Sequence, residues 1–152
     1  MIGVLYTVSI GSQAQTAAKT LIEITAGSNT VTLIERIWIK QTSFDTSENL
    51  GTKTQRITTS GTGTATTPEP LDPDGSAYGG TVETNSTAEP TYTAATEVLE
   101  DGFNVLSGYL WTPASDDEVI VVPGGGIIGT NLDVAPSASM DFSYGCTIRE
   151  IG

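Results

Sequence analysis

The chain has 152 residues, six Lys or Arg against eighteen Asp or Glu and no histidine, a formal net charge of −12. That balance excludes a nucleic-acid binder, because no cation cluster can be assembled to neutralise phosphates, and it disfavours anionic lipid for the same reason. The absence of histidine excludes the Ser-His-Asp and Cys-His nucleophile systems and most zinc sites.

About one residue in six is threonine and 17 are glycine. Thr is β-branched and suits a pleated, half-exposed surface, while Gly supplies turns. A globule of this length buries roughly 68–70% of its unfolded surface, so one domain can fold without a staple. Cys146 is the only cysteine, which rules out an intrachain disulfide. The expectation is a single all-β domain over 1–152, an antiparallel β-sandwich of jelly-roll type.

Period-two alternation marks the elements in chain order. Val4, Tyr6, Val8 and Ile10 are apolar at alternate positions, and one helical turn is allowed near Gln13–Ala18. Strands are expected at Thr20–Thr25, Thr30–Ser43 and Lys53–Ser60. Gly61–Pro90 then reads as one long loop, with five acids, no base and three prolines at Pro68, Pro70 and Pro73. Further strands follow at Thr91–Glu97, Phe103–Thr112, Glu118–Val122 and Ile127–Val134. In the last strand Met140, Phe142, Tyr144, Cys146 and Ile148 share one face. Turn signals separate them, among them Ala26-Gly27-Ser28-Asn29, Asp101-Gly102 and Pro123-Gly124-Gly125-Gly126.

Two strands carry apolar groups on both faces. In Thr30–Ser43, Val31, Leu33, Ile37 and Ile39 oppose Ile34 and Trp38; in Phe103–Thr112, Phe103, Val105, Tyr109 and Trp111 oppose Leu106 and Leu110. A sandwich buries one face of each strand, so the second face needs a cover, either the folded-back loop or a neighbouring molecule. Ile34, Trp38, Leu106, Tyr109, Leu110 and Trp111 are therefore the candidate residues of a subunit or partner interface.

Catalytic and metal chemistry finds little purchase. Glu35 interrupts an apolar face and invites the reading of a buried acid, as glycosidases use. Pairing with Arg36, Lys40 or Arg56, or a place near the sheet edge, is the simpler account. Asp72-Pro-Asp74-Gly75 has the opening of a calcium loop without its remaining ligands and reads as a turn. Asp116-Asp117-Glu118 could hold a hard cation but reads as a solvated turn. Gly124-Gly125-Gly126 lacks the lysine and helix of a phosphate loop. Cys146 alternates onto an apolar face and reads as core packing. Trp38, Tyr109 and Trp111 could stack on sugars, although aromatics on sheets more often anchor cores or interfaces. No cofactor and no catalytic residue is implied.

Met1-Ile2-Gly3-Val4-Leu5-Tyr6 lacks the basic start and cleavage site of a signal peptide, and no apolar run is long enough to span a bilayer. Synthesis and retention in a cytoplasm are expected.

The segments Phe103-Asn104-Val105-Leu106-Ser107-Gly108-Tyr109-Leu110-Trp111-Thr112-Pro113, Val121-Val122-Pro123-Gly124-Gly125-Gly126 and Arg149-Glu150-Ile151-Gly152 resemble structural proteins of tailed bacteriophages, the jelly-roll cement or decoration proteins. The resemblance implies a homo-oligomer, a trimer in that family, bound to the major capsid protein on the outer capsid surface and made in the host cytoplasm. It transfers no functional residue. The N-terminal segment or the Gly61–Pro90 loop would be the gripping element, and a carbohydrate- or receptor-binding module of a tail or fibre is the alternative function.

Overall fold

The computed structural model describes residues 3–43 and 46–152; Met1 and Ile2, the start of the stretch considered for a signal peptide, and Phe44 and Asp45 lie outside them. The strands are β1 (Val4–Gln15), β2 (Thr20–Thr25), β3 (Val31–Gln41), β4 (Asn49–Thr59), β5 (Thr62–Thr66), β6 (Glu69–Pro70), β7 (Thr81–Ala88), β8 (Thr91–Asn104), β9 (Tyr109–Trp111), β10 (Ile120–Val122), β11 (Ile127–Leu132) and β12 (Met140–Ile151).

Their pairing is nested about the middle of the chain and antiparallel throughout. β1 pairs β12, β2 pairs β11, β3 pairs both β9 and β10, and β4 pairs β8. The doubled ribbon then curls, so that β12 also pairs β3 and β11 also pairs β4. The result is two facing sheets, β10-β3-β12-β1-β6 with β9 also on β3, and β5-β7-β2-β11-β4-β8. This nested and rolled order makes the all-β sandwich a jelly roll.

The core between the sheets follows from alternation. On β12, Met140, Phe142, Tyr144, Cys146 and Ile148 are buried while Asp141, Ser143, Thr147 and Arg149 are half-exposed. They meet Leu21, Ile22, Ile24, Ile128 and Leu132 of the second sheet within one cluster. Full burial of a side chain of this size contributes about 1.5–3 kcal/mol. Threonines that enter the core find partners there, and the Thr54 and Thr130 hydroxyls hydrogen-bond each other at 2.8 Å, which removes the cost of burying either one alone.

Three expectations are corrected. Segment 61–90 is not one loop, for it contains β5, β6 and β7. β7 extends the second sheet beside β2, and β6 borders β1 at Tyr6 and Thr7. The insertion thus straps one open side of the sandwich, and Tyr78 within it meets Tyr6 edge-on at 5.4 Å. Residues 13–18 form no helical turn, because β1 continues to Gln15 past an irregularity between Ile10 and Gln13. Finally, 103–112 is not one strand. β8 ends at Asn104 in the second sheet, the amides of Ser107 and Gly108 bond back to the Asn104 carbonyl at 3.1 and 2.9 Å, and β9 resumes in the first sheet. Gly108 takes φ +77° in this turn, a conformation cheap only for glycine.

Adjacent positions on β12 should respond oppositely to substitution. A β-carbon at Gly145 would collide with the Val8 carbonyl and the Trp38 indole. Gly145→Ala should therefore lower stability by about 1–3 kcal/mol, as overpacking does. The Tyr144 hydroxyl is buried with no partner among the described residues, so Tyr144→Phe should gain about 1 kcal/mol, raising Tm by about 2–4 °C. Thermal melts read both, and a stabilised Gly145→Ala or a destabilised Tyr144→Phe contradicts this packing.

Candidate functional site: the outer face of the first sheet

One irregularity in β3 shapes this face. Arg36 sits opposite Thr147 but Ile34 sits opposite Ile148, so Glu35 is an extra residue on β3. A bulge of this kind shifts the phase of alternation by one residue. Before it Thr32 and Ile34 are buried; after it Ile37, Ile39 and Gln41 are buried. Ile34, expected at an interface, is therefore a core residue, 1% exposed.

The same bulge projects Glu35 and Arg36 outward together. Glu35 binds Arg149 of β12 in a fork, Nε to Oε1 and Nη2 to Oε2, the latter at 3.3 Å. The hydrogen bond that Arg149 donates to the Glu35 carboxylate pushes the Arg149 pKa above its ordinary value. Glu35 is thus a structural ion-pair partner, and its partner is none of the three cations its sequence neighbourhood suggested. Arg36 stands 5.3 Å from the centre of the Trp38 ring, and Trp38 lies against Gly145.

The candidate interface residues divide. Tyr109 joins Ile34 in the core and packs 5.9 Å from Phe103; β9 has crossed to the first sheet, so its alternation no longer continues that of β8. Trp111 packs partly buried against the core. Leu106 and Leu110 remain 54% and 55% exposed, and Trp38 is half-buried on the outer face beside Leu110, its cross-strand neighbour.

A second apolar group on the same face was not singled out from sequence. Val121, Leu33, Arg149 and Leu5 lie opposite one another in turn across β10, β3, β12 and β1, and Leu71 hydrogen-bonds to Leu5 through its backbone. Arg149 separates two depressions. One of about 340 Å³ is walled by Leu33, Val119, Ile151 and Asp116, and one of about 480 Å³ by Val4, Leu5, Leu71 and Asp72. The signal was present, since Leu5 and Leu33 are large aliphatics at outward positions of otherwise alternating strands.

The remaining candidates resolve into turns and core. Asp72 closes an Asx turn by accepting from the Asp74 amide at 3.1 Å. Asp116–Glu118 is an exposed 3-10 turn, and among the described residues no group of three His, Cys, Asp or Glu could hold a metal ion. Gly125, at φ +73°, makes the turn after β10. Cys146 is buried, and desolvation pushes its thiol up to about 12. None of the helical segments described is long and apolar enough to cross a membrane. Comparison with protein-family models gives no match, and no curated protein or solved structure matches the chain either.

Burial also governs the phenols. Desolvation pushes Tyr78, Tyr92, Tyr109 and Tyr144 up from 10.0 to about 12. The folded state then holds these protons more tightly than the unfolded chain, so the stability they contribute is complete below pH 10 and falls as pH rises through about 12. Alkaline titration at 295 nm should show little phenolate below pH 11, with ionisation accompanying loss of the fold. A smooth native titration near pH 10 contradicts this burial.

Proposed function

We propose that the chain is a structural virion protein: a decoration or cement protein that binds the outer capsid surface as an oligomer and stabilises the shell. The observation that carries this reading is the asymmetry of the jelly roll. One outer sheet face presents Trp38, Leu110, Leu33, Val121 and Leu5, whereas the second sheet turns a largely polar and acidic surface outward, with Lys53 engaged by Glu100 and Asp133. A rigid scaffold with one adhesive face suits a protein whose work is contact. In an oligomer, several weak contacts to the major capsid protein would act together, because each attachment after the first is effectively intramolecular. The net charge of −12 favours a neutral or basic recipient surface.

The carbohydrate- or receptor-binding reading has less support. Gly145 and Arg36 already occupy the surroundings of the Trp38 ring, and Trp111 packs against the core. The gripping role given to segment 61–90 is weakened as well, because much of that segment is tied into the sheets by β6 and β7.

Particles purified from the virus that encodes the chain provide the test. The chain should be present in fixed stoichiometry, as density outside the shell, and its removal should lower the temperature at which shells rupture. Absence from particles, or binding on a glycan array that Trp38→Ala abolishes, would overturn the proposal.

A further inference from the structure

The cations of this chain are few, and three of the six have a side-chain partner. Lys53 bridges Glu100 and Asp133, Arg149 is held by Glu35, and Lys19 donates to Asn85 at 3.0 Å. Arg56 is half-buried. Among the described residues, Arg36 and Lys40 are the two cations that are exposed and make no ion pair. Both lie on the outer face of β3 and flank Trp38, with Leu110 beside them. Further along the same face, the depressions on either side of Arg149 have aliphatic walls, and each includes an exposed acid, Asp116 in one and Asp72 in the other.

One surface therefore holds two complementary halves. A basic end presents Arg36, Lys40 and Leu110, and an aliphatic end is flanked by acids. We propose that this face is where copies of the chain meet, the basic end of one seated on the acid-flanked aliphatic end of the next. A second copy fits better than a foreign partner because the complement of each half is already on the surface. Two molecules at −12 repel at a distance, so association needs a local site where opposite charges face each other, and among the described residues the two exposed cations without an ion pair both lie at this one. Ion pairs at its rim would fix the register, and the apolar contact would contribute most of the affinity. The inference deepens the oligomer part of the proposed function by naming the surface.

Sedimentation of the full chain tests it. The wild type should form a defined oligomer at micromolar concentration. Arg36→Glu with Lys40→Glu should weaken association at least about a hundredfold, since like charges set against each other cost several kcal/mol. Far-UV circular dichroism and the melting temperature should stay near wild type, as both side chains are exposed. Adding Asp72→Lys and Asp116→Lys to that variant should restore assembly. A wild type that stays monomeric at the highest soluble concentration overturns the inference, as does an oligomer indifferent to the double reversal or a quadruple variant that fails to reassociate. The two proposals fail distinguishably: a monomer that still decorates particles refutes this inference and the oligomeric part of the proposed function but leaves capsid binding standing, and an oligomer absent from particles refutes the proposed function while leaving this surface standing.

Discussion

Everything in the first sheet depends on β12 lying between β1 and β3. Neighbouring strands stand about 4.8 Å apart, so without β12 the two would face each other across a gap neither could close. β12 is paired along both edges between Phe142 and Glu150, and its register is fixed by five buried side chains, Met140 to Ile148, on one face. A slip of one residue would send all five into water and bring Arg149 into the core. Gly145 adds a further constraint, because the Val8 backbone and the Trp38 ring approach closely enough to leave no room for a side chain. β12 thus completes the sheet to which β1 belongs. Such long-range pairing makes the fold slow to form, because loop closure comes before the contacts that reward it.

How much of this was legible follows from what alternation can and cannot carry. β2 lies at the bounds its sequence predicts, Thr20–Thr25, and the buried row of β12 was legible in full, since its large apolar groups stand in strict phase. Ile34 was misplaced because period-two reading assumes an unbroken strand, and nothing in Glu35-Arg36 marks the extra residue. Tyr109 was misplaced because the chain changes sheets at Gly108, so residues two apart across the turn no longer share a face. β7 was missed for another reason. Its inward positions are Val82, Thr84 and Ser86, and an inward row with one hydrophobe in three is invisible to a search for hydrophobic periodicity. The fold class survives these errors because it rests on the long regular strands. The candidate site suffered from them, because it was defined by apparent exceptions to alternation.

The insertion between β4 and β8 acts on the sheet edges. A jelly roll leaves sheet edges open, and an open edge invites pairing with other chains. Here β6 and β7 border β1 and β2, the outer strands on one side, while Tyr78 reaches across to the Thr32 hydroxyl at 2.8 Å and to Tyr6. On the other side β8 keeps a free edge, but it is broken by register shifts, by Ala95 at φ +56°, and by the charges of Glu97, Glu100 and Asp101. One edge is covered and the other is irregular and acidic. Association by extending a sheet is blunted at both of these places.

The face that carries the proposals traces to the bulge in β3. Without the bulge, with Glu35 alternating in turn like its neighbours, Ile37 and Ile39 would point outward while Arg36, Trp38 and Lys40 turned into the core. With it, Glu35 reaches Arg149 and neutralises the charge between the two depressions, while Arg36, without an ion pair among the described residues, stands over Trp38. The same local irregularity that keeps Ile34, Ile37 and Ile39 together in the interior therefore also sets the charge pattern outside. Bulges commonly re-aim side chains at working surfaces. A stable core alone does not require an exposed pair of cations flanking an indole on the most aliphatic face of a protein otherwise dominated by acids, whereas recognition between copies does.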